Sequence, residues 1–505
     1  MTDHGLLVPG AHRALGLTDD REVLRCLIRA EVAWVQAQAD LGLVPAAHAA
    51  SAARVLEAAQ LEAGFDLAGI AERAELGGNP VIPMLADLRS AVREIDAEAV
   101  ASVHRGLTSQ DVMDTALMLL LRGGLEQLCD SLSGAEAALA ELAERHRGTL
   151  AVARTLTQHA LPTTFGLRCA QWLTGLLEAH DRIDALELPL AMGGAAGTLA
   201  GSCALFEDTD RDPVDGAFAL HEAWAARLGL SAPHRVWHAS RQPVLDAAAA
   251  LGSTAAAMGR IADDVLLLSR PELGELREPS GPGRGVSSAM PQKQNPVLSV
   301  LLKRTALSAP QHVAALFAAA AAFVDERPDG AWHAEWPAAR DLLRLSAVAA
   351  SQLRELCEGL RVDPEQMEAN LRCTGPGLLS ERIGAVLAPL VEDRAEATGA
   401  QRIQRVLAGA GADTDAALDG LSELVADARA AGATGTGREE IARLCDPRGY
   451  LGATGRLIDD ALQRLRRRTE PSGDHHDRQA DPPDADPDAG TRRPAGTEPT
   501  RRGTL

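Results

Sequence analysis

Aromatic side chains are scarce in this chain. They make up 3% of its 505 residues, with a single tyrosine, although hydrophobic residues as a class reach 46%. Its apolar mass is mostly alanine and leucine rather than the β-branched and aromatic residues that strands favour, so an all-α fold is expected. Cysteine is sparse and scattered: Cys26, Cys129, Cys169, Cys203, Cys357, Cys373 and Cys445 are odd in number and never form a C-x-x-C pair. That pattern speaks against a disulfide framework and a zinc knuckle, and fits a reducing compartment. A chain of this length buries enough core to fold without either.

Long apolar runs are missing too. None can cross a bilayer, and "MTDHGLLVPGAHRALGLTDD" lacks the basic, apolar and cleavage segments of a signal peptide, so a soluble, cytoplasmic protein is expected. The net charge of −20 opposes general affinity for nucleic acid or anionic membrane, and neither is expected as a partner. The basic run ending at Arg468 reads as a helix C-terminus complementing its dipole. There is no G-x-x-x-x-G-K-[ST] phosphate loop and no H-E-x-x-H helix, and the histidines lack ligand spacing. The glycines of "MGGAAGTLAG" lie between helices rather than after a strand, which fails the context of a dinucleotide loop. No cofactor and no metal are expected.

Helical periodicity begins near Asp20, where Val23, Leu24, Cys26, Leu27 and Ala30 share a side and Gly42 follows as a stop. From Thr108 the segments lengthen, to roughly 110–146, 163–188, 243–269, 297–325 and 338–359, a pattern that predicts a helix bundle. The expected organisation is an N-terminal helical domain over 1–107 and a central long-helix domain over 108–361 with a signature loop at 271–296. A C-terminal helical domain over 362–468 and a disordered tail over 469–505 complete it.

Three loops precede three of these helices. In "VHRGLTSQDVMDTAL", Thr108 can cap a helix with Asp111 as the acid of a capping box, and a bare helix start is the alternative reading. In "RTLTQHALPTTFG", Pro162 suits the first turn of the next helix, and Thr155, Thr157, Gln158 and His159 crowd the loop before it. In "VSSAMPQKQNP", Asn295 reads as an N-cap and Pro296 as the first helical residue, which leaves Ser287, Ser288, Met290 and Lys293 without a structural reason. Helix N-termini offer free N–H groups and partial positive charge. Three of them converging, with Lys293 added, would make a site for a small polycarboxylate. The glycines of "GELREPSGPGRGVSSAM" mark a loop long enough to close over a ligand.

Taken together and in this order, the three loops resemble the signature regions of the fumarase/aspartase superfamily, whose S-S-x-M-P-x-K-x-N-P pattern is matched by "SSAMPQKQNP". Within it, "GGNPVIPMLADLR", "HRGLTSQDVMDTAL", "RTLTQHALPTTFG", "GGAAGTLAG" and "DERPDGAWHAEW" are similar to the 3-carboxy-cis,cis-muconate cycloisomerase-like branch, over about residues 15–465. The resemblance implies a three-domain helical subunit, a homotetramer with active sites shared between subunits, and reversible β-elimination from a succinate-like di- or tricarboxylate. It implies Ser287 as the proton-abstracting base and His159 as a general acid. Thr108, Ser109, Thr157, Gln158, Ser288, Met290, Lys293 and Asn295 would hold substrate, with Arg241 and Arg327 as further anion contacts.

Two positions depart from the family pattern: Val286 replaces a usual glycine, and Asp325 stands where cycloisomerase-like relatives commonly carry histidine. The expected reaction is elimination of a nitrogen leaving group to give fumarate, with nitrosuccinate as the specific substrate and nitrite as the second product. The alternatives are the lactone-forming cycloisomerase, another C–N lyase acting on adenylosuccinate, or a non-catalytic helical scaffold.

Overall fold

The computed structural model describes residues 5–56, 64–232, 235–287, 289–290, 292–392, 397–430 and 437–470. Ser288 and the tail beyond 470 lie outside them.

Among the described residues the main elements, labelled here in chain order, begin with α1 (Asp20–Asp40), α2 (Val81–Ile95) and α3 (Ser109–Arg145). A hairpin of β1 (Leu150–Thr155) and β2 (Gln158–Thr164) follows, then α4 (Phe165–Asp184), α5 (Pro213–Leu228) and α6 (Gln242–Leu268). After β3 (Leu276–Arg277) come α7 (Val297–Ala321), α8 (Gly330–Gly359), β4 (Arg361–Val362) and α9 (Pro364–Arg372). The chain continues through α10 (Gly399–Ala410), α11 (Thr414–Ala430), α12 (Arg438–Leu444) and α13 (Thr454–Thr469). The expected all-α fold is present, with two small antiparallel pairs, β1–β2 and β3–β4, that composition did not announce.

The bundle is α3, α4, α6, α7 and α8, with α6 against α7 and α8, and α3 against α4 and α8. Leu128, Leu132 and Leu139 of α3 and Leu342, Leu343 and Leu353 of α8 are buried in one core, which α1 joins through Trp34. Helices three turns or longer are held chiefly by such apolar stripes rather than by propensity. Gly124 sits where α3 crosses α8: a methyl group there would fall 2.6 Å from the Leu343 side chain, so a larger residue would force Leu343 to shift. A second core of Leu379, Ile383, Leu387, Ile403, Leu407, Leu421 and Ile441 gathers the short C-terminal helices, while Ile458 and Leu462 of α13 belong to the main core.

α8 begins eight residues before the predicted 338, capped by the Asp329 side chain, and runs through Pro337. Proline forfeits one backbone hydrogen bond there. The stretch is fixed instead by Trp332, which is buried and stacks edge-on against Trp336 at 4.7 Å.

Candidate active site

The first loop delivers Thr108 and Ser109 to the start of α3. Asp111, fully buried, accepts the Thr108 N–H at 2.8 Å, completing the predicted capping box. The same carboxylate accepts the Gly194 N–H at 3.2 Å and lies 2.9 Å from Nε2 of His238. The glycines of "MGGAAGTLAG" are thereby explained by close packing. A methyl group on Gly193 would meet His238 at 2.6 Å, and one on Gly201 the Gly106 carbonyl at 2.8 Å. Backbone approach to this loop, not phosphate binding, is their use.

The second loop is a β-hairpin rather than a helix lead-in. Pro162 pairs with Val152 inside β2, so it is not in the first turn of α4, whose cap is Thr164 accepting from Leu167 N–H at 3.2 Å. Thr155 faces Gln158, leaving a two-residue turn of Leu156 and Thr157 with φ of 49° and 69°. Such turns favour Asn-Gly, and non-glycine residues hold the left-handed region only at a cost of about 1–3 kcal/mol each. The turn presents Leu156, 96% exposed, together with Thr157 and Gln158.

His159 follows, half-buried, with Nδ1 2.7 Å from the Thr374 hydroxyl. Burial lowers its pKa from the ordinary histidine value and the Arg154 charge adds to this, while Glu275 partly opposes. Arg154 on β1 donates to buried Glu275 at 2.6 Å, and Asn370 on α9 donates to the same oxygen at 2.8 Å, fixing the hairpin to the β3 stem.

The third loop leaves β3 and returns at α7. Its neck is a bridge between Val286 and Gln294, and the Gly285 carbonyl accepts both the Asn295 N–H at 2.9 Å and its side-chain amide at 3.1 Å. Gly285 has φ +66° and a side chain there would collide with the Asn295 carbonyl at 2.5 Å. At the next position the β-branched Val286 suits extended pairing. Ser287 is half-buried, and its Oγ accepts from Met290 N–H at 3.2 Å and Ala289 N–H at 3.5 Å. Lys293 is exposed and is one of two lysines in the chain, the other being Lys303, which pairs with Asp263 at 2.7 Å. Met290 is exposed.

The cap of α7 differs from the sequence expectation. The helix starts at Val297, one residue later than predicted, and Asn295 closes the loop neck instead of capping. The capping group is Glu278, whose carboxylate accepts from Leu298 N–H at 3.0 Å and Ser299 N–H at 2.7 Å. In this chain, then, the α7 N-terminus spends two of its N–H groups on a protein carboxylate rather than on a ligand. Arg284 anchors the loop further: it pairs with Glu355 of α8, which Arg13 also holds at 2.5 Å. The two cations outweigh the effect of burial and lower the Glu355 pKa.

Arg241 is corrected as an anion contact. It is fully buried at the head of α6, donating to both oxygens of Asp114 at 2.7 and 3.0 Å and to Glu335 at 2.7 Å. Its guanidinium ties α3, α6 and α8 together and is already compensated by two acids. Arg327 is exposed in the turn between α7 and α8, beside Asp325 in a left-handed conformation that aspartate tolerates. Glu278, Thr374, Glu275 and Glu355 went unrecognised in the sequence because each acts on a partner distant along the chain.

Among the described residues, no hydrogen bond or ion pair joins Thr108 and Ser109, the hairpin turn and His159, or the Ser287–Asn295 loop to one another. Each loop is built separately and presented.

The Lyase family model matches residues 14–309, more than half of the chain. The chain belongs to the fumarase/aspartase superfamily of lyases, and it is an enzyme of the cycloisomerase-like branch. It is 42% identical to nitrosuccinate lyase of Streptomyces davaonensis over 466 residues, 92% of this chain and 95% of that protein. It is 38% identical to 3-carboxy-cis,cis-muconate cycloisomerase of Bradyrhizobium diazoefficiens, covering 89% of this chain and 95% of the other. The crystal structure of 3-carboxy-cis,cis-muconate lactonizing enzyme from Pseudomonas putida superimposes with a TM-score of 0.78 at 31% identity, over 91% of this chain and 97% of that one. The superfamily acts on small carboxylate substrates, and no described helix is long and apolar enough to cross a membrane.

Proposed function

We propose that this enzyme eliminates nitrite from nitrosuccinate to give fumarate. Ser287, as its alkoxide, takes a proton from the methylene carbon beside one carboxylate. That carboxylate takes up the developing charge, and the C–N bond then breaks with its electron pair leaving on nitrite. Two N–H groups aimed at Ser287 Oγ stabilise negative charge on that oxygen, which is the condition a serine base needs. Lys293, Asn295, Thr108, Ser109, Thr157, Gln158, Ser288 and Met290 are assigned to holding the carboxylates and substrate body, with Arg327 as an outlying anion contact.

The observation that carries the choice of leaving group is the likeness to a nitrosuccinate lyase over 92% of this chain, and the setting of His159, where burial and Arg154 lower its pKa, agrees with it. A neutral imidazole is a poor proton donor, which suits nitrite, a weak base that leaves without protonation, and does not suit an amine. Asp325, in place of the histidine common among cycloisomerase-like relatives, weighs against lactone formation, which stands as the second reading on the strength of the cycloisomerase likeness.

The loops meet through neighbouring copies in a homotetramer. Support comes from the strained turn that exposes Leu156 and from the outer face of α7, where Val300, Leu307 and Phe317 are exposed at helical spacing. Mixing Ser287→Ala with His159→Ala chains then restores part of whatever activity either lacks, whereas an active monomer would end this arrangement. The deciding assay follows fumarate in the ultraviolet and nitrite colorimetrically on purified protein. Equal yields from nitrosuccinate are expected, and turnover of 3-carboxymuconate or its lactone alone would assign the cycloisomerase.

A further inference from the structure

Folding brings together three metal-ligating side chains that are unremarkable in the sequence. Cys129 of α3 and His180 and Asp184 of α4 each place one ligand atom within 4.8 Å of the others. His180 is buried, and its Nδ1 lies 2.9 Å from Oε1 of Glu136, itself buried one helical face along α3. Nε2 lies on the other side of the ring, 3.9 Å from Asp184 Oδ1.

The arrangement separates the two nitrogens by role. A carboxylate that accepts from Nδ1 leaves Nε2 turned toward the thiol and Asp184, and this carboxylate–histidine pairing is the usual support of a metal-bound imidazole. Burial opposes the charged ring, but Cys129 and Glu136 outweigh it and raise the His180 pKa to about 9, so a metal must displace the Nε2 proton. Around Nε2 stand a thiol sulfur and a carboxylate oxygen. With Zn–S near 2.3 Å and Zn–N and Zn–O near 2.0–2.2 Å, tetrahedral coordination sets neighbouring ligand atoms about 3.4–3.7 Å apart. The separations here need to close by only a few tenths of an ångström to about one ångström, within the reach of two χ rotations by Asp184 at the surface.

We propose that Cys129, His180 and Asp184 form a zinc site, with Glu136 orienting His180 and solvent as the fourth ligand. The mixed thiolate, imidazole and carboxylate set selects a borderline-soft divalent ion over magnesium or calcium. On binding, the Cys129 thiol and the His180 Nε2 each give a proton to solvent, and the sulfur and the nitrogen coordinate through the electron pairs left behind; no oxidation occurs. Asp184 has other interactions, so zinc competes for it rather than filling an idle group. The site lies twenty residues along α3 from Ser109 and fifteen along α4 from the end of the hairpin that carries His159, about 30 and 22 Å at 1.5 Å per residue, and is therefore separate from both. Its effect is to staple α3 to α4.

The test uses the full chain, freed of metal by chelation and titrated with Zn2+ or Co2+ alone. One zinc per chain is expected, and Co2+ is expected to produce a sulfur-to-cobalt charge-transfer band in the near ultraviolet. Cys129→Ser should abolish the band and the stoichiometric zinc, Asp184→Asn should weaken binding without disturbing the buried pair, and Glu136→Gln should weaken it about 10–100-fold. Fumarate formation should survive Cys129→Ser, which also reports that the variant is folded. Absence of stoichiometric zinc in the wild type, or a band that persists in Cys129→Ser, overturns the proposal.

Discussion

Nδ1 of His159 and the hydroxyl of Thr374 lie 2.7 Å apart, so a ring on the β2 strand takes its orientation from a residue just past α9. Thr374 is a positioning residue in this arrangement. Replacing it by valine removes one hydrogen bond of about 0.5–1.5 kcal/mol, which predicts a fall in kcat that stays below the loss in His159→Ala, about two- to fivefold. Thr374→Ser should restore it. An unchanged kcat in the valine variant would show that the ring is held by packing alone.

His159 supplies a pH prediction. Burial first, and then the Arg154 charge, lower its pKa from the ordinary histidine value, with Glu275 pulling the other way. Its ionisation should therefore leave no inflection in kcat/KM for nitrosuccinate between pH about 8 and the ordinary histidine pKa of about 6.5, and any slope there belongs to the Ser287 base and is absent from Ser287→Ala. An elimination that needs protonated His159 would instead lose rate as pH rises through the lowered pKa. The same logic predicts that Ser287→Ala costs about 10²–10⁴ in kcat/KM while His159→Ala costs less than tenfold. Equal, large losses in the two variants would mean that a proton does travel to the leaving group.

Glu278 caps α7 from the stem of the loop that carries Ser287. Glu278→Ala should cost about 0.5–2 kcal/mol of local stability, as losing a cap does elsewhere. Hydrogen exchange at Leu298 and Ser299 should accelerate while exchange along α3 stays the same. Unaltered exchange at those two amides would show that the cap contributes nothing.

Arg241 joins Asp114 and Glu335 in the interior. Arg241→Met leaves two buried acids without their cation and should lower stability by about 3–5 kcal/mol, read from the denaturant midpoint. Replacing all three by apolar residues of matching volume should recover much of it. A small loss in the single variant would mean that the acids take up protons at little cost.

The long helices were legible because their signal is local: apolar residues recur on one face of α3, α6 and α7 and the ends fall within a few residues of the prediction. The hairpin was not, because Pro162 before a helix suggests a first turn, and only pairing of Val152 with Pro162 makes the segment a strand. Asn295 next to Pro296 looked like a cap for the same reason, whereas the acceptor actually used, Glu278, stands nearly twenty residues earlier. Arg241 drew a substrate role from its charge, and only its two acidic partners, distant in sequence, show where that charge is spent. Ser287, Lys293 and His159 stand out in the sequence for a different reason, since a capped helix start has no use for them, and their roles rest on the proposed reaction.

With lysine present only at 293 and 303, both exposed and Lys303 paired with Asp263 at the surface, the side-chain amines of this enzyme reduce to two reporters, one on the loop and one on α7. An amine-directed label will settle on Lys293, on Lys303 and on the chain's amino end, with Lys303 as an internal reference away from the loop. If the proposed site is right, the rate at which a dicarboxylate shields Lys293 relative to Lys303 gives occupancy of the loop, without turnover and without any engineered tag.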